Sequence, residues 1–166
     1  MIKLNNLEEI MILNTGINEE KREVIAENLK LLLAETYTLY LKTHKYHWNV
    51  TGPMFQTLHV MFEEHYNAMA LAVDEIAERI RVMGVKAPGS YSEFAKLSRV
   101  KEDVSVSTAA QDMIKVLLSD HEQIVRTAKE TLPILEDAND EGTNSLLGAR
   151  IEYHEKTAWM LKSLLG

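Results

Sequence analysis

The sequence predicts an all-α protein, a bundle of four long helices with a short helix in the long connection between the second and third. Three observations lead there. Apolar residues recur at helical spacing over four long stretches, no run of useful length alternates apolar with polar, and only 7 Gly and 3 Pro interrupt 166 residues. That length suits one domain with a core of its own, needing no disulfide to hold it.

Val24, Ile25, Leu29, Leu32, Leu33, Thr36, Leu39, Tyr40 and Thr43 set the face of the first helix. Asn18 is placed to cap it, with Glu19 and Glu20 in the first turn, where the helix dipole favours acids. The Thr51-Gly52-Pro53 turn ends it after about Asn49. The second helix starts near Phe55, runs through Phe62, Tyr66, Met69, Val73, Ile76 and Ile80, and stops at Gly84. Residues 84–106 hold Gly84, Pro88, Gly89 and several serines, so they form a long crossover, with Tyr91 to Leu97 as a short helix. The third long helix runs from about Thr108 to Thr131, and Pro133, lacking an N–H, marks its end. The segment Glu136-Asp137-Ala138-Asn139-Asp140-Glu141-Gly142 reads as an acidic turn. The last helix carries Leu146, Leu147, Ile151, His154, Ala158, Trp159 and Leu161. Residues 1–18 lack a period and form an N-terminal arm, leaving 19–166 as the bundle domain. Four long helices with one long crossover describe a ferritin-like bundle.

The net charge is −7, from 18 basic and 25 acidic residues, which opposes nucleic acid and favours cations. Cysteine is absent, which excludes disulfides, thiolate metal sites and thiol nucleophiles and fits a cytoplasmic protein. The stretch MIKLNNLEEIMILN has neither the pattern of a signal peptide nor that of a membrane span.

His47, His59, Glu63, Asp74 and Glu78 form the candidate chemical constellation. Imidazole and carboxylate together suit iron(II), zinc or manganese. At about 100° per residue, His59, Glu63, Asp74 and Glu78 share one face of the second helix. They do not share one height on it. His59 and Asp74 are fifteen residues apart, about 22 Å along the axis, whereas a metal–ligand bond is about 2 Å long. His47 lies at the end of the preceding helix and could approach His59 across the turn in an antiparallel hairpin. If all five serve one centre, Asp74 and Glu78 must come from another chain, and the economical solution is a two-fold interface carrying two equivalent sites. The plainer reading is that these are surface or core histidines and solvated acids, since an i,i+4 acidic pair is mildly unfavourable in an isolated helix. Spacing alone leaves both readings open.

A resemblance adds to this. His47-Trp48-Asn49-Val50-Thr51-Gly52, followed by Phe55, Leu58-His59, Phe62-Glu63-Glu64 and Tyr66, resembles the signature of the Dps family of miniferritins. So does Ala72-Val73-Asp74-Glu75-Ile76-Ala77-Glu78-Arg79, and Gly142-Thr143 and Lys156-Thr157-Ala158-Trp159-Met160-Leu161 are similar to that family's last helix. The resemblance implies a homo-oligomeric shell of twelve subunits with a di-iron ferroxidase centre at each two-fold interface. It implies His47, His59 and Glu63 from one subunit and Asp74 and Glu78 from its neighbour, with iron(II) and hydrogen peroxide as substrates and ferric iron stored inside. Glu63 departs from the Asp common at its position. The Glu-x-x-His motif of in-bundle di-iron sites is absent.

Trp48 reads first as a core anchor and second as an electron donor beside the centre. Glu64 and His65 are expected exposed or interfacial, His44 on the surface, and His121 and His154 without chemistry. Asp120 and Glu130, or Glu136, Asp137, Asp140 and Glu141, are candidates for an acidic entry pore. Two other functions stand as alternatives: nucleoid binding, and a structural bundle with little ferroxidase activity. DNA binding is expected weak or absent, because residues 1–18 set Lys3 against Glu8 and Glu9 and the C-terminal tail is short. The crossover's Lys86, Lys96, Arg99 and Lys101 against Glu93 read as a solvated loop first and as a candidate basic patch second.

Overall fold

A computed structural model describes residues 12–105, 107 and 109–166. The expected N-terminal arm therefore lies largely outside the described residues. Five helices follow in order: α1 Glu19–Asn49, α2 Phe55–Val82, the short α3 Tyr91–Leu97, α4 Ala110–Ala138 and α5 Glu141–Ser163. Among the described residues there is no strand, only a single parallel bridge between Thr51 and Ala109.

The start of α1 is where the sequence placed it. The Asn18 side chain accepts the Lys21 N–H, satisfying one of the donors a helix start leaves unpaired. The hairpin α1–α2 packs against the hairpin α4–α5, chiefly through α1 against α4, and α3 lies on α1. Leu29, Leu32, Leu39, Leu58, Phe62, Ile76, Ile114, Leu117, Ile124 and Leu161 meet in the centre with almost no exposed surface.

The crossover is tied down at its far end. Tyr46 donates its hydroxyl hydrogen to Asp103, and the Lys45 ammonium donates to the carbonyls of Asp103 at 2.6 Å and Ser105 at 2.7 Å. These bonds fasten the segment entering α4 to the last turns of α1. Asp103 is held down at about 2, first by the Tyr46 hydroxyl.

Two expectations are corrected. Pro133 does not end the third long helix, which continues to Ala138. Proline leaves the carbonyl four residues back without its N–H donor, and both Pro133 and Lys129 are on the exposed face, where that carbonyl is open to solvent and its loss from the ladder costs little. The helix ends instead at Asn139, in the left-handed region at φ +52, with the Asn139 and Asp140 N–H groups returning to Glu136 and Leu135. The acidic turn accordingly shrinks to Asn139-Asp140.

Asp140 is no free acid. Only 3% exposed, it caps α5 by accepting the Thr143 N–H and hydroxyl and pairs with the Arg79 guanidinium of α2, whose Nε donates to Thr143 Oγ1. A Cβ on Gly142 would lie 3.0 Å from that guanidinium, so glycine is what the close approach needs. Asp120 is likewise engaged, with Lys42, and Glu130 with Arg99.

Candidate metal centre

His47 stands in the last turn of α1 and His59 in the second turn of α2. The reversal between them turns on Gly52, whose φ of +100 disfavours any side chain. The turn brings the two imidazoles face to face, centroids 3.8 Å apart and planes 20° from parallel. Each ring donates Nδ1–H to the other residue's backbone carbonyl, His47 to His59 at 2.8 Å and His59 to His47 at 2.9 Å. The His47 carbonyl sits among the last four of α1, which have no partner within the helix, so the His59 ring also closes a helix end. The pair of bonds fixes one tautomer for both rings. With Nδ1 protonated, each neutral imidazole keeps its lone pair at Nε2, the state in which histidine binds a metal.

Aromatic side chains wall this pair. Tyr66 meets His47 edge-on at 5.3 Å and Phe55 lies 5.1 Å from His59. His44 is half-buried, its ring 4.1 Å from both Tyr66 and Trp48. Burial first, and then the neighbouring His47, lowers the His44 pKa. His44 is thus sandwiched between rings and not a plain surface histidine. Trp48 is 60% exposed, so the core-anchor reading fails and the indole lies open against the His44 ring.

The acids are placed differently. Glu63 follows His59 by one turn on α2 and is exposed. Asp74 and Glu78 are exposed farther along the same helix, and the chain does not bring them to the histidines. Among the described residues, no three His, Asp or Glu side chains come together closely enough to hold an ion. The subunit by itself offers an imidazole pair, and the carboxylates face outward.

The family profile described as a ferritin-like domain matches residues 26–166. A DNA protection during starvation protein of Bacillus anthracis is 36% identical over 141 residues, covering 85% of this chain and 96% of the relative. The chain belongs to the Dps family. A low temperature-induced protein of Nostoc is 38% identical, with 92% of this chain and 86% of the relative covered. Among solved structures, a Dps protein of Vibrio cholerae superposes with a TM-score of 0.89 at 30% identity, covering 94% of this chain and 98% of the other. Dps from Staphylococcus aureus gives 0.82 at 33% identity, over 86% and 95%. The Vibrio protein is described as one of a broad superfamily of ferritin-like diiron-carboxylate proteins.

Three features of this Dps chain escaped the sequence. The reciprocal ring-to-carbonyl bonds are invisible without the turn geometry. His65 is buried, not exposed or interfacial, and inside the bundle it meets His121, which in turn packs on His154. A signal for that existed: Phe62, His65, Met69, Ala72 and Ile76 continue one helical stripe. Glu35, also within an apolar stripe, is fully buried.

Proposed function

We propose that this Dps chain is a ferroxidase subunit that binds and oxidises iron(II) and stores the ferric product in a hollow shell, protecting against oxidative damage. The observation that carries the reading is the His47–His59 pair, its tautomers fixed so that both Nε2 lone pairs are available. On this reading Glu63 joins the histidines, and Asp74 and Glu78 enter from a second copy across a two-fold interface, as in a twelve-subunit assembly. Their exposure on α2 leaves them available to a neighbour. Nitrogen and oxygen donors of this kind suit iron(II), and carboxylates stabilise the trivalent product more than the divalent substrate.

Hydrogen peroxide is the proposed oxidant. Two iron(II) ions and two protons reduce one peroxide to two waters and leave two iron(III) ions, so no one-electron radical need escape. The subunit's part is to hold the two imidazoles in place before iron arrives, each Nδ1 tied to a backbone carbonyl and Nε2 left as the donor atom for metal.

The test loads iron(II) anaerobically onto assembled protein, adds peroxide and follows oxidation, comparing wild type with a His47→Ala/His59→Ala/Asp74→Ala variant. Rapid oxidation and a soluble ferric core in wild type, both lost in an intact variant shell, are expected. Equal activity in the two shells places the chemistry elsewhere. Activity in neither favours a structural or binding role.

A further inference from the structure

His65 of α2, His121 of α4 and His154 of α5 meet in the interior, with 6%, 0% and 1% of their surface exposed. The His121 and His154 Nδ1 atoms are 2.8 Å apart, their ring centroids 5.0 Å. The His65 ring stands 6.0 Å from that of His121. The three do not close on a point that would hold an ion.

Hydrogen-bond arithmetic shows how narrowly the pair is satisfied. A neutral imidazole has one N–H and one lone pair. The Nδ1–Nδ1 contact uses the N–H of one ring and the lone pair of the other, leaving one Nε2–H and one Nε2 lone pair. Both Nε2 atoms are buried with no partner, as is His65 Nδ1. The contact exists only while one Nδ1 carries a proton and the other does not. With both rings protonated, two N–H groups point at each other 2.8 Å apart.

Among the described residues, no carboxylate acts on either ring to balance an added positive charge. His154 and His65 act on His121, while Arg150 and His65 act on His154, all bases or cations. From α5, Tyr153 presents a ring edge to His154, and the Arg150 guanidinium lies over the Tyr153 ring. On α2, Glu64 beside His65 is exposed and acts on Tyr153. Next to His121 on α4, Asp120 is taken by Lys42 of α1. The buried acid of α1, Glu35, faces Thr127 and Gln123 of α4, beyond His121 along that helix.

We propose that the His121–His154 pair is an acid-sensitive latch between α4 and α5, holding the bundle closed while it shares one proton and opening it when both rings are protonated. Burial supports the geometry by pushing His154 down to about 3 and His121 well below its ordinary value. The sign follows. In the unfolded chain both rings take up protons below about 6.5, whereas in the folded bundle they stay neutral, so stability falls as pH drops below that value. Two rings acting together make the fall steep. The proposal stands whether or not the interfacial centre oxidises iron.

The test measures urea unfolding of the assembled protein from pH 7.5 to 4.5, for wild type and for His121→Gln/His154→Gln. Glutamine keeps a side-chain hydrogen bond within reach and does not titrate. The expected result is that unfolding at pH 5 takes up about two fewer protons per chain in the variant, read from the slope of stability against pH. Equal slopes overturn the latch. A second measurement on wild type alone covers failure of the variant to fold: nitrogen-15 NMR of selectively labelled histidines in sedimented particles. Two imidazoles coupled through Nδ1 and still neutral at pH 5 are expected. Titration of either ring near 6.5 in the native state overturns the proposal.

Discussion

Glu35 has no exposed surface, and neither of its oxygens has a hydrogen-bond partner. Burial pushes its carboxyl up to about 6, against the pull of the nearby Thr127 hydroxyl and the Arg99 charge. In the unfolded chain the same group ionises near 4.5. Between these values the folded state binds more protons, so stability falls as pH rises through the window and the deficit persists above it. A shift of this size corresponds to about 2 kcal/mol. Glu35→Gln should therefore raise the urea midpoint at pH 7.5 and leave it nearly unchanged at pH 4.5. An equal gain at both values would mean that ionisation is not the source. This residue and His65 also show where sequence reading stops. His65 was expected exposed or interfacial and Glu35 was not singled out, although both lie in apolar stripes, because only the packed neighbours decide between a buried group and a solvated one. The histidine pair at 47 and 59 was legible as a pair because a short turn joins two helix ends. Its tautomer was not, since that depends on which backbone carbonyls the reversal presents.

At the scale of elements, the four helices were readable because long amphipathic stripes outweigh local exceptions. The exception that misled was Pro133, where a local rule about helix breaking was outvoted by Leu135 and Ala138, which continue the buried face for another turn beyond it. The crossover was legible as a loop but not as a fastened one. Its hold rests on Tyr46, whose ring is buried between α1 and α2 and whose hydroxyl reaches Asp103. Tyr46→Phe should cost about 1.5–3 kcal/mol, as hydrogen bonds to charged groups do, with little change in the core. The Asp103 carboxyl then loses its largest stabilising contact and should titrate closer to its ordinary 3.8. The sign is opposite to that of Glu35. A depressed carboxylate contributes stability above 3.8 that is lost as pH falls towards 2, so the variant should lose less between those values than wild type does. Paired urea curves at pH 7, 4 and 2.5 test this, and parallel losses in the two proteins would remove Tyr46 as the cause.

At the scale of the whole molecule, the charge of −7 and the lack of a lysine-rich stretch within residues 1–18 give little counterion release on DNA. Arg99, one of four bases in the crossover patch, is paired with Glu130. Intact particles should therefore fail to retard duplex DNA at about 0.15 M salt, and a shift that resists salt would refute this. Assembly itself allows a sharper experiment, because the proposed centre divides its ligands between two copies. Chains carrying His47→Ala/His59→Ala keep their carboxylates, and chains carrying Asp74→Ala/Glu78→Ala keep their histidines. Either alone builds only broken interfacial sites. A mixed pair places the intact histidines of one chain opposite the intact carboxylates of the other, restoring one of the two sites while the second lacks both halves. Random co-assembly at equal amounts makes about half of the pairs mixed, so about one quarter of the wild-type sites return. Co-folded shells should thus oxidise iron(II) with peroxide at about a quarter of the wild-type rate, while a mixture of separately assembled shells stays inactive. A centre built within one chain predicts no recovery in either case, so mixed shells without activity would send the search for the carboxylates back inside the subunit.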